Sequence, residues 1–132
     1  MIVIEASAVV DALVGERANT ELLAVMAEGD MQAPSLLDYE VASALRGHAL
    51  AGRLEMQGLV EAVNDFGALG IDRYPLASMM RPVLSIRGNF TVYDAAYVVL
   101  AQALEAPLVT ADAKLLEARR LGVDVRVFSP RG

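Results

Sequence analysis

Two rhythms of apolar and polar positions interleave along this chain. Ile2-Val3-Ile4 is an unbroken β-branched run closed by Glu5, too continuous for a half-exposed strand and suited to one buried on both faces. Residues from about Ser7 to Val14 and from Ala18 to Ala27 are alanine- and leucine-rich, which predicts two helices with Gly15 and Gly29 as stops. A very short strand is expected at Met31 to Ala33. Pro34-Ser35-Leu36-Leu37-Asp38 reads as a helix start, with Ser35 as N-cap and Asp38 three residues on in a near capping box; this helix runs to about Ala51. A further helix, Glu55 to about Phe66, leads into a strand from Ala68 to Arg73, where Leu69 and Ile71 alternate with small or polar neighbours. Pro75 opens the next helix, which ends near Gly88. Thr91-Val92-Tyr93-Asp94 repeats the N-cap spacing before the apolar helix Ala95 to Leu104. Pro107-Leu108-Val109-Thr110 is a strand entering a turn, Asp112 caps a short charged helix, and Val123 to Phe128 alternates strictly, as an edge strand does. Strands separated by helices imply an α/β fold, a central parallel sheet of four or five short strands with helices on both faces.

Composition narrows the picture. A chain of 132 residues, 55% of them hydrophobic, is expected to form one domain, residues 1–132, with a core that needs no disulfides. The absence of cysteine excludes a thiolate metal site and a cysteine nucleophile and fits a reducing cytosol, and the single histidine excludes a multi-histidine zinc site. Eleven basic against 17 acidic side chains give a formal charge of −6, which argues against non-specific coating of nucleic acid but leaves room for a local arginine patch. Mean hydropathy is high at +0.43. The charge-free stretch Ala95 to Leu104 is nonetheless only ten residues, half of a membrane span. Met1 to Glu5 lacks a basic leader and meets a carboxylate at once, unlike a signal peptide. A cytoplasmic protein with apolar surface left for a partner is expected.

In a parallel sheet, sites form beyond the carboxyl ends of the strands, where the following helices begin. That rule sorts the acids. Glu5 ends the first strand, Asp112 follows the strand Leu108–Val109, and Glu40 and Asp94 lie early in helices that start on the same edge. Four carboxylates meeting there need a cation, because each unpaired buried charge carries desolvation and repulsion costs. An all-oxygen donor set suits hard ions, Mg²⁺ or Mn²⁺. Helix capping alone also accounts for Asp94 and Asp112. Glu40 lies past the capping turn beside Val41, Ala42 and Leu45, and needs a partner if it faces inward. Ser7 and Thr110 are candidate hydroxyls for orienting a carboxylate or water. His48, eight residues after Glu40, reads as a helix-surface or partner-contact residue.

The segments Ile2-Val3-Ile4-Glu5-Ala6-Ser7, Pro34 to Leu45, Thr91-Val92-Tyr93-Asp94-Ala95-Ala96-Tyr97 and Pro107-Leu108-Val109-Thr110-Ala111-Asp112, in that order, resemble a PIN-domain ribonuclease of the VapC toxin type. The resemblance covers nearly the whole chain. It implies a PIN-like three-layer fold, a Mg²⁺- or Mn²⁺-dependent endoribonuclease site, a homodimer, and inhibition by a small VapB-type antitoxin. Glu5, Glu40, Asp94 and Asp112 match the family's acids, with Glu5, Asp94 and Asp112 as implied metal ligands and Ser7 and Thr110 as polar neighbours. Two positions depart from the pattern. Glu5 stands where the family has Asp, carrying its carboxylate about one bond length (~1.5 Å) further. Lys114 stands where some members have another acid.

On this reading a held ion lowers the pKa of a water for in-line attack on an RNA phosphodiester, and Glu40 orients the water or helps a second ion stabilise the leaving oxygen. Arg46, Arg53, Arg73 and Arg87 are candidates for an RNA groove. One alternative is a catalytically impaired member that binds its antitoxin and RNA without efficient cleavage. Another is a phosphoacceptor receiver domain, which needs an acceptor Asp after a central strand and has only Asp72 to offer.

Overall fold

Among the described residues, five short strands form one parallel sheet: β1 (Ile2–Ile4), β2 (Met31–Pro34), β3 (Ile71–Tyr74), β4 (Leu108–Thr110) and β5 (Val125–Val127). Their spatial order is β3-β2-β1-β4-β5. The structure, a computed structural model, describes residues 1–16 and 19–129. Strands β1, β2 and β4 are buried at every position, the polar Gln32 and Thr110 included, whereas the edge strands β3 and β5 are buried mainly at their first residues.

The helices are α1 (Ala6–Val14), α2 (Thr20–Ala27), α3 (Leu36–Leu50), α4 (Met56–Ala68), α5 (Met80–Ser85) and α6 (Val92–Leu104), with a 3₁₀ segment at Ala113–Leu121. Right-handed crossovers put α1 to α4 on one face and α5 and α6 on the other. The packing agrees: α1 touches α2, α3 and α4, while α5 packs on α6, which lies against β1, β2 and β4. Every residue from Ala95 to Ala101 of α6 is buried, so this helix is covered all round.

Several expected boundaries move, each for a local reason. Ala18, the expected start of the second helix, lies outside the described residues; α2 begins at Thr20, capped by Asn19 Oδ1, which accepts from the Glu21 and Leu22 amides at 3.0 and 3.1 Å. The near capping box does not form, because Ser35 already has helical backbone (φ −58°, ψ −24°) and makes no side-chain cap. Asp38 pairs instead with Arg73 at 2.8 Å. Helix α4 continues through Gly67 to Ala68, so the strand expected from Ala68 begins only at Ile71, where pairing with Met31 starts. The helix expected from Pro75 to Gly88 is two pieces, a 3₁₀ turn at Leu76–Ser78 and α5. Pro82 explains the break: it lacks the N–H that an unbroken helix would direct at Ser78, and restarting at Met80 puts it in a first turn, where no donor is needed.

The strand order reverses between β1 and β4, so a crevice opens beyond the carboxyl ends of those two strands. Asp72, the receiver reading's acceptor, lies instead within the edge strand β3. No helix among the described residues is long and apolar enough to cross a membrane.

Candidate active site

Glu5 occupies the turn from β1 into α1. Its backbone is extended (φ −94°, ψ 153°) and its carboxylate caps α1 by accepting the Ser7 amide on Oε2 at 2.5 Å. Two hydroxyls converge on the other oxygen: Ser7 Oγ and Thr110 Oγ1 each donate to Oε1 at 2.8 Å. Both hydroxyls are themselves fixed from behind, Ser7 by the Ala111 amide and Thr110 by the Asp112 amide, each at 3.0 Å. Glu5 is 8% exposed and Thr110 fully buried. Adjacent strands thus contribute a buried carboxylate with a donor on each oxygen.

Asp94 and Asp112 form the opposite arrangement. Thr91 Oγ1 caps α6 by accepting the Asp94 amide at 3.1 Å, which leaves the Asp94 carboxylate for the cleft. Asp112 Oδ1 accepts the Lys114 amide at 3.0 Å and so starts the 3₁₀ segment. The Lys114 ammonium then bridges the two acids, 3.5 Å from Asp94 Oδ2 and 3.4 Å from Asp112 Oδ2. The negative charge of Asp94, reinforced by Asp112, holds the Lys114 pKa above its ordinary value.

Glu40 lies in the second turn of α3 and accepts the Tyr97 hydroxyl on Oε1 at 2.7 Å. Burial raises its pKa, and the charges of Glu5 and Asp94 push the same way; the Tyr97 hydrogen bond and Lys114 oppose the rise. Tyr97 itself is 1% exposed, and its phenol is held well above the ordinary range by burial and by Glu40. Asp11, one turn beyond Ser7 on α1, shows the same pattern: burial and the Glu5 charge raise its pKa, and His48 counteracts them.

Glu5, Glu40, Asp94 and Asp112 therefore line one open cleft of ≈ 350 Å³ together with Ser7, Asp11 and Lys114. They share the cleft without sharing a point: among the described residues, no three carboxylates are arranged to hold one ion. None of the four candidate arginines lines it. Arg46 is exposed on α3, and Arg53 donates from Nε to His48 Nδ1 at 3.1 Å. Arg73 is bound to Asp38 and the Ile71 carbonyl and lies 5.4 Å over the Phe66 ring, while Arg87 donates to the Leu84 carbonyl at 2.9 Å.

Two residues escape a reading of the sequence, Asp11 in the cleft and Tyr97 buried behind Glu40, and each had a signal. Asp11 follows Ser7 by four positions and Tyr97 follows Asp94 by three, so each shares a helix face with a candidate already named. Lys114 was noticed as a departure but not as the cation bridging two acids.

No family model matches the chain. The VapC ribonuclease Mb0985 of Mycobacterium bovis is 38% identical over 115 residues, 87% of this chain and 88% of that protein. From Mycobacterium tuberculosis, ribonuclease VapC1 is 37% identical over 127 residues (95% and 96%), and ribonuclease VapC12 is 33% identical over 131 residues (98% and 100%). The crystal structure of PAE2754 from Pyrobaculum aerophilum matches with a TM-score of 0.64 at 24% identity, covering 94% of this chain and 87% of that one, a likeness of fold. Similarity to these ribonucleases covers between 87% and 98% of the chain, and the chain belongs to the VapC ribonuclease family.

Proposed function

We propose that the cleft is the active site of a cytoplasmic endoribonuclease that hydrolyses RNA phosphodiesters with Mg²⁺ or Mn²⁺, the toxin of a pair whose other member is a VapB-type antitoxin. The observation that carries this reading is the gathering of four acids from four separated segments at the reversal point of the sheet. The donor set fits such a cation on two grounds. It is all oxygen, as hard ions require, and the Lys114 ammonium between Asp94 and Asp112 marks a position that already takes a positive charge.

Asp94 and Asp112 would hold the ion between them, with Glu5 drawn toward it from the opposite wall of the cleft, and the ion would polarise a phosphate oxygen and acidify a water. The chain's own groups do the rest. Ser7 and Thr110 fix the Glu5 carboxylate, so that its charge faces the cleft in one orientation. Tyr97 fixes Glu40, whose raised pKa suits it to accept a proton from an attacking water. Met56, Val60 and Val63, spaced four and three residues apart on α4, expose an apolar stripe suited to a second copy in a homodimer or to the antitoxin.

Incubation of the purified chain with structured RNA tests the reading. Cleavage is expected with Mg²⁺ or Mn²⁺, lost on chelation and reduced about 100-fold or more in Asp94→Asn; metal-independent cleavage, or full activity of that variant, sinks it. The three hydrogen bonds that already tie Glu5 to Ser7 and Thr110 favour a second reading, in which the longer side chain has cost the protein efficient turnover and left antitoxin binding. Silence of the native chain with recovery in Glu5→Asp selects that second reading.

A further inference from the structure

Lys114 is the only lysine among the 132 residues, the other ten basic side chains being arginine. Its placement is correspondingly specific. Asp112 binds it twice, accepting the backbone amide on Oδ1 at 3.0 Å and facing the ammonium through Oδ2 at 3.4 Å, while Asp94 approaches the same ammonium at 3.5 Å. The side chain is 62% exposed, so among the described residues two ion pairs retain its head, and such pairs are individually weak. An arginine here would offer a planar fork that locks onto carboxylates; a lysine offers a compact, strongly hydrated point charge on a flexible stem, among side chains the nearest equivalent of a small hydrated cation.

We propose that Lys114 is a resident surrogate for the divalent cation, and that metal enters the Asp94–Asp112 position by displacing its ammonium. The inference rests on the metal-dependent reading above and adds a determinant of metal affinity that belongs to this chain. With the ammonium in place the two carboxylates are half neutralised, and a divalent ion would have to sit beside a like charge at contact distance; the two occupants therefore exclude each other. When metal enters, the long stem lets the ammonium swing into solvent, where it is free to meet an RNA phosphate.

The test is Mn²⁺ binding, followed by calorimetry and by the electron paramagnetic resonance of unbound Mn²⁺, for the native chain, Lys114→Met and a control, Arg120→Met, whose guanidinium pairs with Glu117 outside the cleft. Lys114→Met is expected to bind roughly 3- to 30-fold more tightly than the native chain, the gain from removing two exposed ion pairs, and Arg120→Met within about twofold of it. Because the chain has one lysine, its labelled ε-carbon gives a single resonance, which is expected to move as Mg²⁺ saturates the cleft. Equal affinity of the native chain and Lys114→Met, equal tightening in Arg120→Met, or a resonance unmoved at saturation overturns the proposal while metal binding itself stands. Failure of all three proteins to bind Mn²⁺ removes the metal reading and this inference with it.

Discussion

Glu5 and Asp94 line the same cleft under opposite regimes. Glu5 is 8% exposed and is held by one amide and two hydroxyls, each with its own backbone partner behind it. Asp94 is 21% exposed in its side chain and is balanced by an ammonium on a chain that is itself 62% exposed. One wall is held by neutral dipoles that cannot leave without breaking the sheet edge, the other by a charge that leaves at little cost. Rigid and exposed compensation thus stand side by side, as the proposed ion site would require: fixed donors for geometry and a replaceable counter-charge for occupancy.

The contrast can be broken most forcefully at Glu5. Glu5→Ala removes the cap of α1 and deprives the Ser7 and Thr110 hydroxyls of their acceptor, an expected loss of about 2–3 kcal/mol in urea unfolding. Thr110→Val keeps the shape but leaves the Asp112 amide and one Glu5 lone pair without a partner; about 1–2 kcal/mol is expected by the same measurement.

Glu40 sharpens the comparison through pH. Its folded pKa is raised, so the stability it contributes is complete below the unfolded value and is lost as pH rises through the folded one. Glu40→Gln, which can still accept from Tyr97, is therefore expected to be at least as stable as the native chain at pH 7 and equal to it near pH 3, while RNA cleavage falls. A native chain that outlasts the variant at pH 7 in thermal melts would contradict this. The smallest effect is expected at Lys114, where substitution by Met should change unfolding stability by no more than about 0.5 kcal/mol, because exposed ion pairs add little. A larger loss would make the second wall as rigid as the first and erase the distinction.

Much of this is legible in the residues alone. The β-branched run at Ile2 predicted a buried strand and Pro107 to Thr110 a strand entering a turn, and the rule that sites form beyond strand ends then singled out Glu5, Glu40, Asp94 and Asp112 with no knowledge of their contacts. The helix break at Pro82 and the late start of β3 were not legible from local alternation. Pro75 is compatible with a helix start whatever happens later, and Leu69 with Ile71 mimics a strand until pairing with Met31 sets the true register. Asp11 and Tyr97 escaped for a related reason: their spacings put them on the right helix faces, but which face meets the cleft depends on how α1 and α6 pack on the sheet.

The sequence by itself determined the class of fold, the order of its elements, and the four acids destined for one edge, because periodicity, capping and the all-oxygen donor set are local properties of residue type and spacing. Only the tertiary structure decided how those acids are neutralised. Whether a carboxylate meets a hydroxyl, a phenol or an ammonium depends on contacts between residues as far apart as Glu5 and Thr110, or Asp94 and Lys114, and on the desolvation that surrounds them. The same four charges could have been balanced in several ways, and packing selected a fixed set of dipoles for one wall and a single displaceable lysine for the other.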